Sequence, residues 1–204
     1  TKVYSRSGYL PLTSTTITNF RTYARKLGED FGQLDWRYFL IQMLYLVEYA
    51  DYDSQSMLGL GNATNTSTVA SGGCNTLGMK SGALNNDGKH SVIYRGIEDI
   101  FGNVDQFIDG INVKDHQAYI NYNPSTYAVD TFDGDYQGLG YLNANDVGWI
   151  QKIGYDTSNS LIGFPMELAA SERSIGDYYF SSSGYRVVLI GGIWNDGTVA
   201  GLWH

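Results

Sequence analysis

Residues 35–50, DWRYFLIQMLYLVEYA, carry the strongest periodic signal in the chain. Trp36, Phe39, Leu40, Met43, Leu44, Val47 and Ala50 recur at i, i+3, i+4, i+7, i+8, i+11 and i+14, the spacing of one face of an α-helix. Ile41 and Leu46 extend the apolar character beyond that stripe, which predicts a helix buried in the domain. Asp35 is its candidate N-cap. Upstream, Ile17, Phe20, Ala24 and Leu27 at i, i+3, i+7 and i+10 predict a shorter helix, capped from the hydroxyl-rich run 13–18 and stopped at Gly28.

Beyond this helix pair the character changes. Residues 51–90 are turn chemistry with few core candidates, including Gly59-Leu60-Gly61, Ser71-Gly72-Gly73 and Asn85-Asn86-Asp87-Gly88. Residues 91–94 read as a short strand. Residues 96–113 read as helical or turn-rich, around Ile97, Ile100, Phe101, Val104, Phe107 and Ile108. A further short strand is expected at 118–122, and 146–153 and 161–168 are further short apolar pieces. The clearest strand is YRVVLI at 185–190, β-branched and closed by Gly191-Gly192. Helices early and short strands late predict an α+β fold, one domain over residues 13–204 preceded by a strand or assembly arm over 1–12.

Composition narrows the function. The 204 residues carry a net charge of −8, with 13 Lys and Arg against 21 Asp and Glu. No phosphate-neutralising excess is present, which argues against nucleic acid and against an anionic membrane surface. The longest strongly apolar stretch, 39–47, is far short of the ~20 residues of a membrane span, so no membrane insertion is expected. One cysteine, Cys74, excludes an intrachain disulfide framework and multi-Cys zinc sites. The 25 glycines and 17 tyrosines suit a loop-rich fold with aromatic contact surface.

Three segments together carry a family resemblance. The first is the helix pair. The second is YRGIEDIFGNVDQFIDG at 94–110, similar to the G-N-V-W-E-W block of formylglycine-generating-enzyme-like domains. The third is GGIWNDG at 191–197 with Ala200-Gly201-Leu202, which resembles the G-G-x-W block near the end of the same domains. The resemblance implies a C-type lectin fold with two early helices packed on mostly antiparallel strands and long loops. It is similar in texture to phage tail proteins and to the variable proteins of diversity-generating retroelements. Gly102-Asn103 and Gly191-Gly192 suit tight turns, with Phe101, Phe107 and Trp194 as core between them, and Arg95 and Glu98 are expected to pair or cap.

The catalytic members use an active-site cysteine pair, which this sequence lacks, so an enzyme of that oxidase type is not expected. Trp194-Asn195-Asp196 matches the W-N-D calcium motif of sugar-binding lectins, but neither partner tripeptide (Glu-Pro-Asn or Gln-Pro-Asp) occurs; a polar turn is the expected role, with no metal and no cofactor. The acidic pairs Asp51/Asp53, Asp133/Asp135 and Glu98/Asp99 read as turns and solvated faces. No Gly-x-Ser-x-Gly elbow supports a hydrolase.

The informative stretch is GDYYFSSSGYR at 176–186. Tyrosine supplies rigid amphipathic area and serine and glycine supply adaptability, the composition of evolved binding surfaces. Asp177, Tyr178, Tyr179, Ser181, Ser182, Ser183 and Tyr185, joined to Trp194, Asn195, Asp196, Thr198, Trp203 and His204, form the expected ligand-binding surface at 176–204. Tyr178, Tyr179, Tyr185 and Trp194 are its expected anchors. The resemblance implies a non-enzymatic display protein that binds a host-surface protein or glycan receptor. It implies a virion location at a phage tail tip, alternatively a bacterial cell-surface lectin or adhesin, and homotrimeric assembly.

Overall fold

Thr16 starts the first helix: its side-chain oxygen accepts the N–H of Asn19 at 3.2 Å, and α1 runs Ile17–Arg25. The computed structural model describes residues 4–78, 86–171 and 175–204; part of the loop expected at 51–90 lies outside them. Residues 4–12 form neither helix nor strand and rest on a later loop, with Gly8 N–H donating to Ser71 O and Ser71 N–H to Tyr9 O.

Helix α2 runs Tyr38–Tyr49 and ends on Ala50 in the left-handed region (φ 52). Two expectations need correction here. Asp35 is not the cap: it is buried and accepts the N–H of Arg37, which occupies the cap position. The expected stripe also faces the wrong way. Tyr38, Phe39, Gln42 and Tyr45 are buried, whereas Leu40, Met43, Leu44 and Val47 are exposed, Val47 by 84%. The helix is apolar on both faces, and the aromatic face wins because its polar atoms find partners inside. Tyr38 Oη–H and Gln42 Nε2–H both donate to Leu202 O, at 2.9 and 2.5 Å, and Tyr45 Oη–H donates to Asp53 O at 3.0 Å.

The described residues after α2 form more structure than their composition suggests. Asp53 caps a short helix α3, Ser54–Leu58, by accepting from the N–H groups of Gln55 and Ser56. Leu58, Asn62, Ala63 and Cys74 are buried, so this region does contribute core. The Gly102-Asn103 turn holds it in place: Asn103 N–H donates to Asn62 O, and Asn62 Nδ2–H donates to Asn103 Oδ1 at 3.0 Å. At Gly102 (φ 73) a Cβ would press on the Asn62 backbone at 3.2 Å, so glycine is required by both conformation and space.

The strands are β1 (Ile93–Tyr94), β2 (Ile97–Glu98), β3 (Gln106–Lys114), β4 (Gln117–Ile120), β5 (Gln137–Gly138), β6 (Gly148–Ile153), β7 (Pro165–Ala169), β8 (Tyr178–Tyr179) and β9 (Tyr185–Ile190). They make an antiparallel hairpin β1-β2, a four-stranded antiparallel sheet in the order β5-β4-β3-β9, and a three-stranded antiparallel sheet β7-β6-β8. The fold is therefore α+β. Strand β3 corrects the helical or turn-rich expectation for 96–113. Its register against β9 shifts between Ile108 and Asn112, around Gly110 (φ 78), and this bulge breaks the alternation a strand normally shows. Arg95 and Glu98 do not pair. Arg95 and Gly96 both have positive φ, and the guanidinium reaches Glu48 on α2 at 3.0 Å. Glu98 instead accepts the N–H groups of Gly72 and Cys74. The core is centred on Tyr38, Tyr45, Tyr94, Phe101, Ile108, Ile120, Ile150 and Leu202. Of the other two expected core aromatics, Phe107 and Trp194 are only half-buried.

Candidate functional site

The chain's last described residues are drawn inward by α2, α3 and one buried carboxylate. Leu202 O accepts from Tyr38 and Gln42, and Leu202 N–H donates to Ser54 Oγ at 3.1 Å. Trp203 N–H donates to Asp177 Oδ2 at 2.6 Å. Burial, with the Asp177 charge adding to it, holds the Tyr38 hydroxyl well above its ordinary pKa, so it stays a donor. The result fixes Trp203 and His204 as the floor of a cleft of about 400 Å³, within the ~300–1,000 Å³ of ligand sites.

One wall of this cleft is strand β9, which contributes Arg186, Val187, Val188, Leu189 and Ile190 in succession. The facing wall is Tyr179, Phe180, Ser181 and Ser182, with Phe164 and Pro165 beside it. Phe39 and Gln42 reach in from α2. The body is apolar and the two ends are charged. At one end Asp105 and Asp196 approach His204, whose Nε2 lies 3.8 Å from Asp196 Oδ2 while its Nδ1 contacts Val199 O at 2.8 Å. Asp105 opens to the cleft with protein packed around it. Burial raises its pKa, His204 opposes the rise, and the Asp196 charge adds to it. At the other end Arg186 donates to Tyr185 O and to Ser182 Oγ, each at 2.8 Å.

Tyr179, Ser181, Ser182, Asp196, Trp203 and His204 thus meet at one cleft. The others are placed elsewhere. Asp177 is wholly buried beneath the floor, and Tyr178 packs between Trp149 and Phe180 at ring distances of 5.4 and 5.0 Å. Tyr185 packs at a tilt against Phe132 outside the cleft, with Lys114 over both rings. Ser183 and Asn195 are exposed, Trp194 is half-buried, and Thr198 lines a separate hollow of about 300 Å³ beside Asp53 and Gln55. Asp196 Oδ2 accepts the N–H of Ile193 at 2.7 Å, so Trp194-Asn195-Asp196 forms a closed turn ahead of Gly197 (φ 64). Among the described residues no group of three or more His, Cys, Asp or Glu could hold a metal ion, and no helix is long and apolar enough to cross a membrane.

Phe39, Asp105, Phe164 and Phe180 line the cleft but are not among the expected site residues. They come from four separate stretches of chain, and only Phe180, inside the nominated 176–186 segment, carried any signal. His116 Nδ1 lies 2.7 Å from Ser181 Oγ. A serine nucleophile needs its base oriented by a third group, and among the described residues no carboxylate is bonded to His116. The sequence matches no protein-family model, and it has no match among curated proteins.

Proposed function

We propose that this chain is a non-enzymatic ligand-binding domain that recognises a host-surface ligand through the cleft between β9 and residues 179–182. The observation that carries the reading is the cleft itself: an apolar body with charged ends, built where the Tyr- and Ser-rich segment meets the last described residues. An apolar body of aliphatic and aromatic side chains between charged ends suits recognition by surface complementarity. The blocks at 94–110 and 191–202 support a C-type-lectin-type fold of the kind found in phage tail receptor-binding proteins and retroelement variable proteins. On that reading the chain is a virion display domain, its partner a receptor on a bacterial surface and its assembly a homotrimer.

The test is binding of the labelled chain to a panel of bacterial cells and glycans. Leu189 is exposed and lines the cleft, so Leu189→Arg obstructs the site without opening the core. Binding to a responsive cell or glycan should fall at least tenfold, on the scale of losing a central contact. Val47→Lys, on the exposed face of α2, should leave it unchanged. Equal binding by the Leu189→Arg protein contradicts the assignment.

A further inference from the structure

We infer that the occupant of this cleft is an extended segment of a partner polypeptide that pairs with β9 as an added strand. The inference rests on the cleft being the binding site and names the class of ligand.

Strand β9 is at the edge of its sheet: it pairs with β3 on one side only. Among the described residues no backbone hydrogen bond crosses from β9 to the facing segment. Residues on both faces of β9, the successive positions Val187, Val188, Leu189 and Ile190, line the cleft. A pocket packed against one face of a sheet would be lined by alternate residues only, so this cleft reaches the strand's free edge, while Val113 of β3 extends it under one face of the sheet. That edge carries backbone N–H and C=O groups that a neighbouring strand would satisfy, and an uncovered edge is a ready template for pairing. The apolar walls on either side would receive alternate side chains of the added strand, the usual division between main-chain affinity and side-chain specificity.

Charge sets the position of the occupant. Asp105 adjoins Gln106, which is opposite Ile190, and Arg186 lies four residues away along β9. At ~3.3 Å per residue the acidic and basic ends are about 13 Å apart. A segment of about five residues spans this distance, with a Lys or Arg at the Asp105/Asp196 end and an acidic group at the Arg186 end. The charges place the segment but leave its direction open, because a reversed sequence can enter in the opposite sense.

The experiment titrates the full chain with the pentapeptide Lys-Val-Thr-Val-Glu, reading tryptophan fluorescence, to which Trp203 in the cleft floor contributes, and amide exchange of residues 186–190. The expected result is saturable binding with slowed exchange along β9. N-methylation at the alternate amides of the edge that pairs with β9 should weaken binding at least about tenfold, since each methyl removes a ladder donor, while methylation of the opposite edge should have little effect. Replacing Lys by Glu, leaving both ends acidic, should weaken it by a similar factor, less so at high salt. Equal binding by the two methylated peptides and the parent overturns strand pairing, as does the absence of binding at about 1 mM peptide, an affinity weaker than roughly −4 kcal/mol. If the peptides fail while Leu189→Arg still abolishes cell or glycan binding, the cleft remains the site and the strand inference falls. If Leu189→Arg has no effect either, the site itself is wrong.

Discussion

The carboxylate of Asp177 is wholly buried and accepts the backbone N–H of Trp203 at 2.6 Å, which ties the floor of the cleft to strand β8. Gly201 lies against the same carboxylate, where a Cβ would come within 2.0 Å of Asp177 Oδ1. Asp177→Ala leaves a buried N–H without its acceptor and is expected to cost about 2–3 kcal/mol. Gly201→Ala should also destabilise, by about 1–3 kcal/mol, through overpacking against the buried Asp177 carboxylate. Urea unfolding of both variants checks this; unchanged midpoints would mean the floor is not held in this way.

Arg21 and Asp109 form a two-pronged pair, Nε to Oδ2 at 2.7 Å and Nη2 to Oδ1 at 2.5 Å, that fastens α1 to β3. Both side chains are largely buried, at 14% and 4% exposure. Gln33 Nε2–H adds a third donor to the carboxylate at 2.8 Å. Removing one partner strands the other charge, so Arg21→Met or Asp109→Leu alone should cost about 3–5 kcal/mol. The double variant should recover most of that loss, and a double-mutant cycle by denaturant unfolding measures the recovery.

Asp99 gives stability a definite pH slope. Its pKa is raised to about 6, chiefly by burial, with hydrogen bonds from Ser91 and Asn103 opposing the rise. A carboxyl raised on folding contributes stability that is fully present below its unfolded pKa near 4 and is lost as pH rises through the folded value. Between about pH 4 and 6 this one group should therefore lower stability by up to about 3 kcal/mol. Comparing unfolding of wild type and Asp99→Asn across that window isolates the contribution; parallel curves would contradict it.

The two faces of α2 make opposite predictions. Phe39→Ala, on the face buried against Phe164 at a ring distance of 5.3 Å, should cost about 3–5 kcal/mol. Met43→Gln and Val47→Lys on the exposed face should stay within about 0.5 kcal/mol of wild type. Thermal unfolding of the three variants decides which face builds the core.

That helix also shows where sequence reading works and where it stops. Strand β9 is legible to the residue because six consecutive positions are consistent with a strand and two glycines close it. The existence of α1 and α2 is legible from the helical spacing of their apolar residues. The face of α2 is not, because inward placement of Tyr38, Gln42 and Tyr45 depends on acceptors at Leu202 and Asp53 that only the folded chain supplies. Strand β3 is hidden by its bulge at Gly110, and α3 by its length of five residues. The cleft is half-legible. The Tyr- and Ser-rich wall stands out in composition, but Asp105, Phe164 and Phe39 join it only through strand pairing and helix packing.

The most direct measurement is hydrogen exchange of the chain with and without receptor-bearing bacterial envelopes, read by mass spectrometry. Binding at the cleft predicts slowed exchange in residues 179–190 and 203–204, with no change at 43–47 of α2, the stretch that carries the exposed Met43, Leu44 and Val47. Protection confined to the α2 face, or to the arm at 4–12, would contradict the assignment and move the binding surface elsewhere on the molecule.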